Sequence, residues 1–232
     1  LAEAFWPGPL TLVFEKKPVI PDLVTAGLDT VGIRCPNHVL TRALLDTLRF
    51  PLAAPSANPF GYVSPTTAAH VNDQLGNRIR YILDGGSCQV GIESTIIGFD
   101  EQSPVMYRSG GLALEEIERV AGKVRLEQNT SSNPKAPGQL KSHYAPRKKV
   151  IVGNIDELLR THPPARMGIL SFRRSFQPDN NIVLSPTGSL QEAAQNLFAA
   201  LKTLDTMPIE VILAECVPDN GIGRAINDRL RR

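Results

Sequence analysis

The stretch TVGIRCPNHVLTRALLDTL, from Thr30 to Leu48, changes its hydrophobic period midway. Val31 to Arg34 has the apolar character of a short strand, Cys35-Pro36 interrupts it, and Val39 to Leu48 then places apolar residues at helical spacing. The same alternation extends in both directions. Strands are expected at Leu10 to Phe14, Leu52 to Ala54, Ile79 to Leu83, Ser94 to Phe99 and Val105 to Arg108, with a further helix at Thr67 to Leu75. Leu114 to Val120, opened by Gly110-Gly111 and rich in Glu in its first turn, predicts a helix that closes the domain. Short strands separated by turns imply a strongly twisted sheet, and the fold class is α/β.

Between Glu127 and Lys149 the chain reads QNTSSNPKAPGQLKSHYAPRKK, polar and rich in Pro and Gly, with too few aliphatic residues for a core of its own. It predicts a linker over residues 125–148, between a first domain at 1–124 and a second at 149–232. In the second domain VIVG, a helix at Ile155 to Arg160, MGILSF, NIVLS, a long helix after Ser189 and EVILAE follow in order. Apolar strands bounded by turns in this order indicate a small, largely parallel, Rossmann-like sheet. Ser189 and Glu192 fit a capping box, in which the hydroxyl accepts from the N3 amide and the carboxylate reaches back to the Ser189 amide.

Composition excludes several classes. With 25 basic and 23 acidic side chains the net charge is only +2, so the bulk balance demands no polyanionic partner. Cys35, Cys88 and Cys216 are far apart and odd in number, which disfavours both a disulfide framework and a cysteine zinc site and points to the cytoplasm. No apolar run approaches the roughly 20 residues of a membrane helix.

Five segments carry residues suited to chemistry. APSANPFGYVSPT, from Ala54 to Thr66, is a proline-stiffened loop whose Ser56, Asn58 and Ser64 can donate to phosphate oxygens; an ordinary Asx- and Pro-rich turn uses the same residues. Arg34 ends a strand, where its guanidinium can hold a carboxylate with a bidentate fork or form a surface salt bridge. Gly91-Ile-Glu-Ser-Thr95, preceded by Asp84-Gly85-Gly86, offers hydroxyls beside glycines, as a hairpin also does. Tyr107-Arg108-Ser109-Gly110-Gly111 places an Arg before a helix start, suited to a phosphate. Lys141-Ser-His-Tyr-Ala-Pro146 sits in the linker and can fold over a site as a lid, although linker composition favours a solvated tether. The histidines lack metal-ligand spacing, and neither a Walker loop nor a dinucleotide fingerprint occurs.

Taken together, WPGPLTLVF, TVGIRCP, PLAAPSANPFG with SPT, DGG, GIESTII, YRSGG and KSHYAP stand in the order seen in the YrdC-like family. The chain resembles the long, two-domain form of L-threonylcarbamoyladenylate synthase over nearly its whole length, most strongly from Phe5 to Gly111. The resemblance implies a twisted mixed-sheet YrdC-like domain followed by a small Rossmann-like α/β domain. It also implies a reaction: the threonine amino group captures bicarbonate as a carbamate, whose oxygen attacks the α-phosphate of ATP and expels pyrophosphate. The product would serve threonylcarbamoylation of tRNA by the threonylcarbamoyltransferase machinery. Such nucleotidyl transfer rests on positioning and charge stabilisation, with Mg2+ expected beside the phosphates and no protein ligand to it identified.

By the same resemblance, Thr30, Ser56, Ser64, Arg108 and Tyr144 match ATP-contacting positions, while Ser56 and Asn58 form the Ser-x-Asn signature at the reacting centre. Arg34, Ala54 and Ser94 match threonine-contacting positions. The family's Lys-x-Arg signature lies upstream of the Trp-Pro-Gly-Pro segment, and its absence here implies a fragment that does not turn over alone. Two other readings keep the fold: a carbamoyl-transfer maturation protein, which would add cysteine pairs, and a non-catalytic module binding tRNA or double-stranded RNA. In the second, Arg78, Arg80, Arg147, Lys148 and Lys149 could supply the basic face.

Overall fold

The computed structural model describes residues 1–101, 103–127, 145–161, 166–176 and 180–232. Their contacts define two units, one formed by Leu1–Pro55 with the described part of Glu93–Lys141, the other by Ser56–Ile92 with the described part of Ser142–Arg232.

The chain begins with α1 (Ala2–Phe5), β1 (Leu10–Glu15), α2 (Asp22–Thr25), β2 (Thr30–Ile33) and α3 (Val39–Asp46) in the first unit. It contributes α4 (Ala68–Leu75) to the second unit, then supplies β3 (Thr95–Asp100), β4 (Ser103–Arg108), α5 (Leu114–Ala121) and β5 (Arg125–Leu126) to the first. The five strands form one mixed sheet in the order β2-β1-β3-β4-β5. β1 runs antiparallel to β2, with Leu12 opposite Ile33, and parallel to β3, with Leu10 opposite Thr95. β4 runs antiparallel to β3, with Arg108 opposite Ile96. The register therefore gathers the C-terminal ends of β2 and β4 and the N-terminal ends of β1 and β3 at one end of the sheet.

β3 lies in the middle of this sheet, and its first four residues are all buried. Leu10, Leu12, Ile97 and Met106 pack with Ile117 of α5, whose Leu114, Ile117 and Ala121 recur at helical spacing and face the sheet. Arg125 and Leu126, the first residues of the segment read as a linker, extend the sheet as β5, parallel to β4.

The second unit continues with β6 (Lys149–Val152), α6 (Ile155–Thr161), β7 (Met167–Ser171), β8 (Asn181–Val183), α7 (Leu190–Thr206), β9 (Val211–Ala214) and α8 (Gly223–Leu230). Its four strands are all parallel, in the order β6-β9-β7-β8. Every residue of β7 is buried, as both-face coverage of a parallel sheet requires. α7 turns Ala193, Ala194, Leu197, Phe198, Leu201 and Leu204 into the core, where Val63 and Ile92 join them from the earlier segment. Gly91 makes the second of these contacts feasible: its φ is +79°, and a Cβ there would lie 2.3 Å from the Cα of Gln195.

Two expected strands do not form. Residues 52–54 and 79–83 are irregular, with Leu52 48% and Tyr81 89% exposed. An apolar run becomes a strand only where a neighbouring backbone completes the ladder, and Pro51 and Pro55 bring no amide to the first of them. The capping box is half formed. Ser189 Oγ accepts from the Glu192 amide at 3.3 Å, but the Glu192 carboxylate accepts from the Ser185 and Thr187 hydroxyls, and the Ser189 amide donates to Ser185 Oγ at 2.8 Å. These two hydroxyls hold the Glu192 carboxyl below its ordinary pKa. α8 falls in GRAINDRL, where no element was expected; Asn227 and Arg229 are buried there, Asn227 bonding both the amide and the carbonyl of Val217 at 2.9 Å.

Candidate functional site

Arg108 is the last residue of β4, and its direction is set by the two strands around it. The β3–β4 register shifts between Ile96 and Ile97, a local irregularity that re-aims the residues beside it. Gly98 and Gly110 then allow close approach: a Cβ on Gly98 would meet the Tyr107 ring at 2.3 Å, and one on Gly110 would meet the Glu93 carbonyl oxygen at 2.3 Å. Beyond the strand, the Gly111 amide donates to Glu93 O at 2.8 Å, and the buried Thr95 hydroxyl bonds both the amide and the carbonyl of Leu112. The glycine pair is thereby stitched to the start of β3.

In this frame the Arg108 guanidinium donates to Ser94 O from Nη2 at 2.8 Å and from Nε at 3.1 Å, and Nη2 also lies 3.1 Å from Ser94 Oγ. Ser94, 9% exposed, shares a 2.7 Å hydrogen bond with Thr11 Oγ1 on β1. A fixed guanidinium beside two linked hydroxyls can bind an anion and recognise a hydroxyl or ammonium group next to it. Arg34 follows Ile33 directly, so the register places it at this same end of the sheet. Thr30 stands at the other end of β2, opposite Glu15, about 13 Å away at the usual strand rise. Ala54 lies in the exposed irregular segment before Pro55.

The second unit holds Ser56, Asn58 and Ser64 on one loop. Ser56 is exposed, Asn58 half-buried and Ser64 buried. Asn58 Nδ2 donates to Pro59 O at 2.9 Å and Tyr62 O at 3.0 Å, which closes the loop on itself. Asn58 Oδ1 is buried without a hydrogen-bond partner among the described residues, an acceptor of the kind a ligand donor completes. The far end of the loop serves structure: Thr67 Oγ1 accepts from the His70 amide and caps α4, and the Thr66 amide lies 3.3 Å from His70 Nδ1. Burial and the nearby Lys202 charge keep the His70 pKa below its ordinary value, so the neutral ring can accept that bond.

Tyr144 and the residues Lys141 to His143 of the candidate lid lie outside the described residues. Of the basic residues considered for an RNA face, Arg147 sits 5.5 Å from the centre of the Tyr62 ring, and Lys148 donates to Asp205 from both its amide and its ammonium. Among the described residues no group of three or more His, Cys, Asp or Glu side chains is arranged to hold a metal ion, and no helix is long and apolar enough to cross a membrane.

Sequence reasoning missed Thr11 and Tyr62. Thr11 is hidden because its partner lies 83 residues away; Tyr62 sits inside the quoted loop, but its partner Asp205 is 143 residues distant. The alternation of β1, with Leu10 and Leu12 buried, could have shown that Thr11 faces the opposite side.

Residues 1–110 match the family described as Telomere recombination, and residues 112–232 match the threonylcarbamoyl-AMP synthase C-terminal domain. The whole chain aligns at 41% identity with 72% of the threonylcarbamoyl-AMP synthase of Pyrococcus abyssi, and at 37% with 71% of that of Bacillus subtilis. The crystal structure of P. abyssi Sua5 complexed with L-threonine matches 99% of this chain with a TM-score of 0.93 at 41% identity, covering 71% of that protein. With both parts of its length matched and its fold shared, the chain belongs to the threonylcarbamoyl-AMP synthase family.

Proposed function

We propose that the protein makes L-threonylcarbamoyladenylate from L-threonine, bicarbonate and ATP, with release of pyrophosphate, and that the product feeds threonylcarbamoylation of tRNA in the cytoplasm. The observation that carries this reading is the 41% identity maintained over the entire chain with a relative named for this synthesis. The threonine nitrogen attacks the bicarbonate carbon, water leaves, and a carbamate forms. A carbamate oxygen then attacks the α-phosphorus, and the α–β bridging bond breaks as pyrophosphate departs.

The residues take chemically distinct parts. Arg34 pairs with the threonine carboxylate, while Ser94 and the Ala54 carbonyl serve its hydroxyl and ammonium groups. Arg108 stabilises phosphate charge at the sheet end it shares with Arg34 and Ser94. Ser56 and Asn58 address the reacting centre and Ser64 the phosphates, with Asn58 Oδ1, which has no hydrogen-bond partner among the described residues, supporting a ligand contact at this loop. Thr30 and Tyr144 complete the proposed ATP contacts; sheet geometry lends Thr30 no support. None of the proposed contacts is a carboxylate, so Mg2+ belongs here chiefly as the counter-ion of the substrate phosphates, with the neutral oxygens of Ser56, Asn58 and Ser64 available as further ligands.

The division into residues 1–124, a linker at 125–148 and residues 149–232 is proposed alongside this function. Pyrophosphate release measured on the full-length protein with all three substrates, and with each omitted in turn, tests the reaction. Release that persists without threonine or bicarbonate overturns it, and RNA binding with no threonine-dependent ATP consumption favours the non-catalytic module.

A further inference from the structure

Tyr62 ties the Ser56–Ser64 loop to α7 by its side chain. Tyr62 donates its hydroxyl proton to Asp205 Oδ2 at 2.8 Å, and its ring lies 4.7 Å from Lys202 Nζ; both partners are on α7. Its carbonyl accepts from Asn58 Nδ2, its amide donates to Pro59 O at 3.1 Å, and its backbone forms a parallel bridge with Ala145. Next to it the Ala145 amide donates to Gly61 O at 3.0 Å, and Val63 is fully buried in the α7 core. Asp205 is 9% exposed, and its other oxygen accepts from the Lys148 amide at 2.9 Å.

We propose that Tyr62 is the positioning residue of the Ser56–Ser64 loop, and that Asp205 and Lys202 of α7 fix its ring so that Asn58 is presented to the nucleotide in one orientation. The proposal rests on the reading of this loop as part of the nucleotide site. It gives the C-terminal domain a task in the reaction although none of the proposed substrate contacts lies on α7. Lys202 is 6% exposed and its Nζ makes no hydrogen bond among the described residues, so the Tyr62 ring face at 4.7 Å and the charges of Asp205 and Asp73 are what its ammonium meets. Burial, reinforced by the bond to Asp205, pushes the Tyr62 hydroxyl up to about 12, which keeps it a donor at every physiological pH.

The test is Tyr62→Phe in the intact protein, which keeps the ring over Lys202 and removes only the bond to Asp205, with Asp205→Asn as a second variant that keeps size and one acceptor. Amide hydrogen exchange at residues 56–64 is expected to accelerate at least tenfold in Tyr62→Phe and less in Asp205→Asn, with β7 and the buried face of α7 unchanged. The KM for ATP is expected to rise about fivefold to tenfold, and kcat to fall as well, since Asn58 addresses the reacting centre. Unchanged loop exchange overturns the proposal, as does acceleration spread evenly over the second unit, which marks a merely structural contact. A loosened loop with an unaltered KM also overturns it. If the unsubstituted full-length protein releases no pyrophosphate in response to threonine, the synthase reading fails, and the exchange measurement alone decides whether Tyr62 positions the loop.

Discussion

Arg108 grips Ser94 at two atoms, reaching the carbonyl oxygen at 2.8 Å and the hydroxyl at 3.1 Å from the same guanidinium nitrogen. Ser94 in turn shares its hydroxyl with Thr11, so a strand end, a loop residue and a neighbouring strand move as one. A lysine at position 108 cannot reproduce the planar fork. Arg108→Lys should weaken ATP binding by about 2 kcal/mol, roughly thirtyfold, on the scale of a charge-assisted hydrogen bond. Calorimetric titration with ATP checks this, and an unchanged affinity removes Arg108 from the phosphate site.

Arg34 lies at the same sheet end and is assigned to the threonine carboxylate. Arg34→Ala should lower threonine affinity at least tenfold, equivalent to about 1.4 kcal/mol. Calorimetry with threonine, at fixed ATP concentration, reports it directly; equal affinities in the two proteins would dismiss the assignment.

Gly110 separates packing from function. Its missing Cβ would sit 2.3 Å from Glu93 O and 2.4 Å from the Ser94 carbonyl carbon, both backbone atoms that cannot swing aside. Gly110→Ala should cost about 1–3 kcal/mol from overpacking. Gly86, with φ at +84° and open space around it, should cost only about 1 kcal/mol when changed to Ala. Urea unfolding midpoints compare the two, and a harmless Gly110→Ala would contradict the close approach seen here.

Lys202 makes stability depend on pH in a known direction. Burial lowers its pKa to about 8, against the pull of Asp205 and Asp73, whereas the unfolded chain titrates near 10.5. Below pH 8 both states hold the proton and the fold bears the full cost of a buried ammonium. Between about pH 8 and 10.5 the unfolded state binds more protons than the native one, so stability rises with pH. Tyr62 acts oppositely from about pH 10 to 12, where the unfolded phenol ionises first and stability falls. Urea unfolding between about pH 7.5 and 9.5 should show this rise in the natural protein and a flatter profile in Lys202→Met. Parallel slopes in the two proteins would refute the assignment.

The strands that bury their residues were legible because periodicity reports burial. β1, β3, β7 and β9 follow the expected stretches within a residue or two, and the ordered motifs indicated both the mixed and the parallel sheet. Val39–Asp46 is helical as its spacing predicts, yet none of its residues is buried, so periodicity alone did not disclose what the apolar side meets. Ile79 to Leu83 failed for the converse reason, since apolar content cannot supply a partner ladder. Within the candidate site, Ser94 and Arg108 were each identifiable from local glycine patterns. Their direct contact was not, because it depends on a strand register that brings residues 14 apart into hydrogen-bond range.

The burial of Val63 and Ile92 against α7 also governs how the polypeptide can be dissected. A protease cut near residue 111, where the two family matches meet, would leave the Ser-x-Asn turn on the N-terminal piece. The hydrophobic floor beneath that turn would depart with the other piece. Activity lost on such cleavage would then report a turn without its support, even with each proposed substrate contact of the N-terminal piece still present.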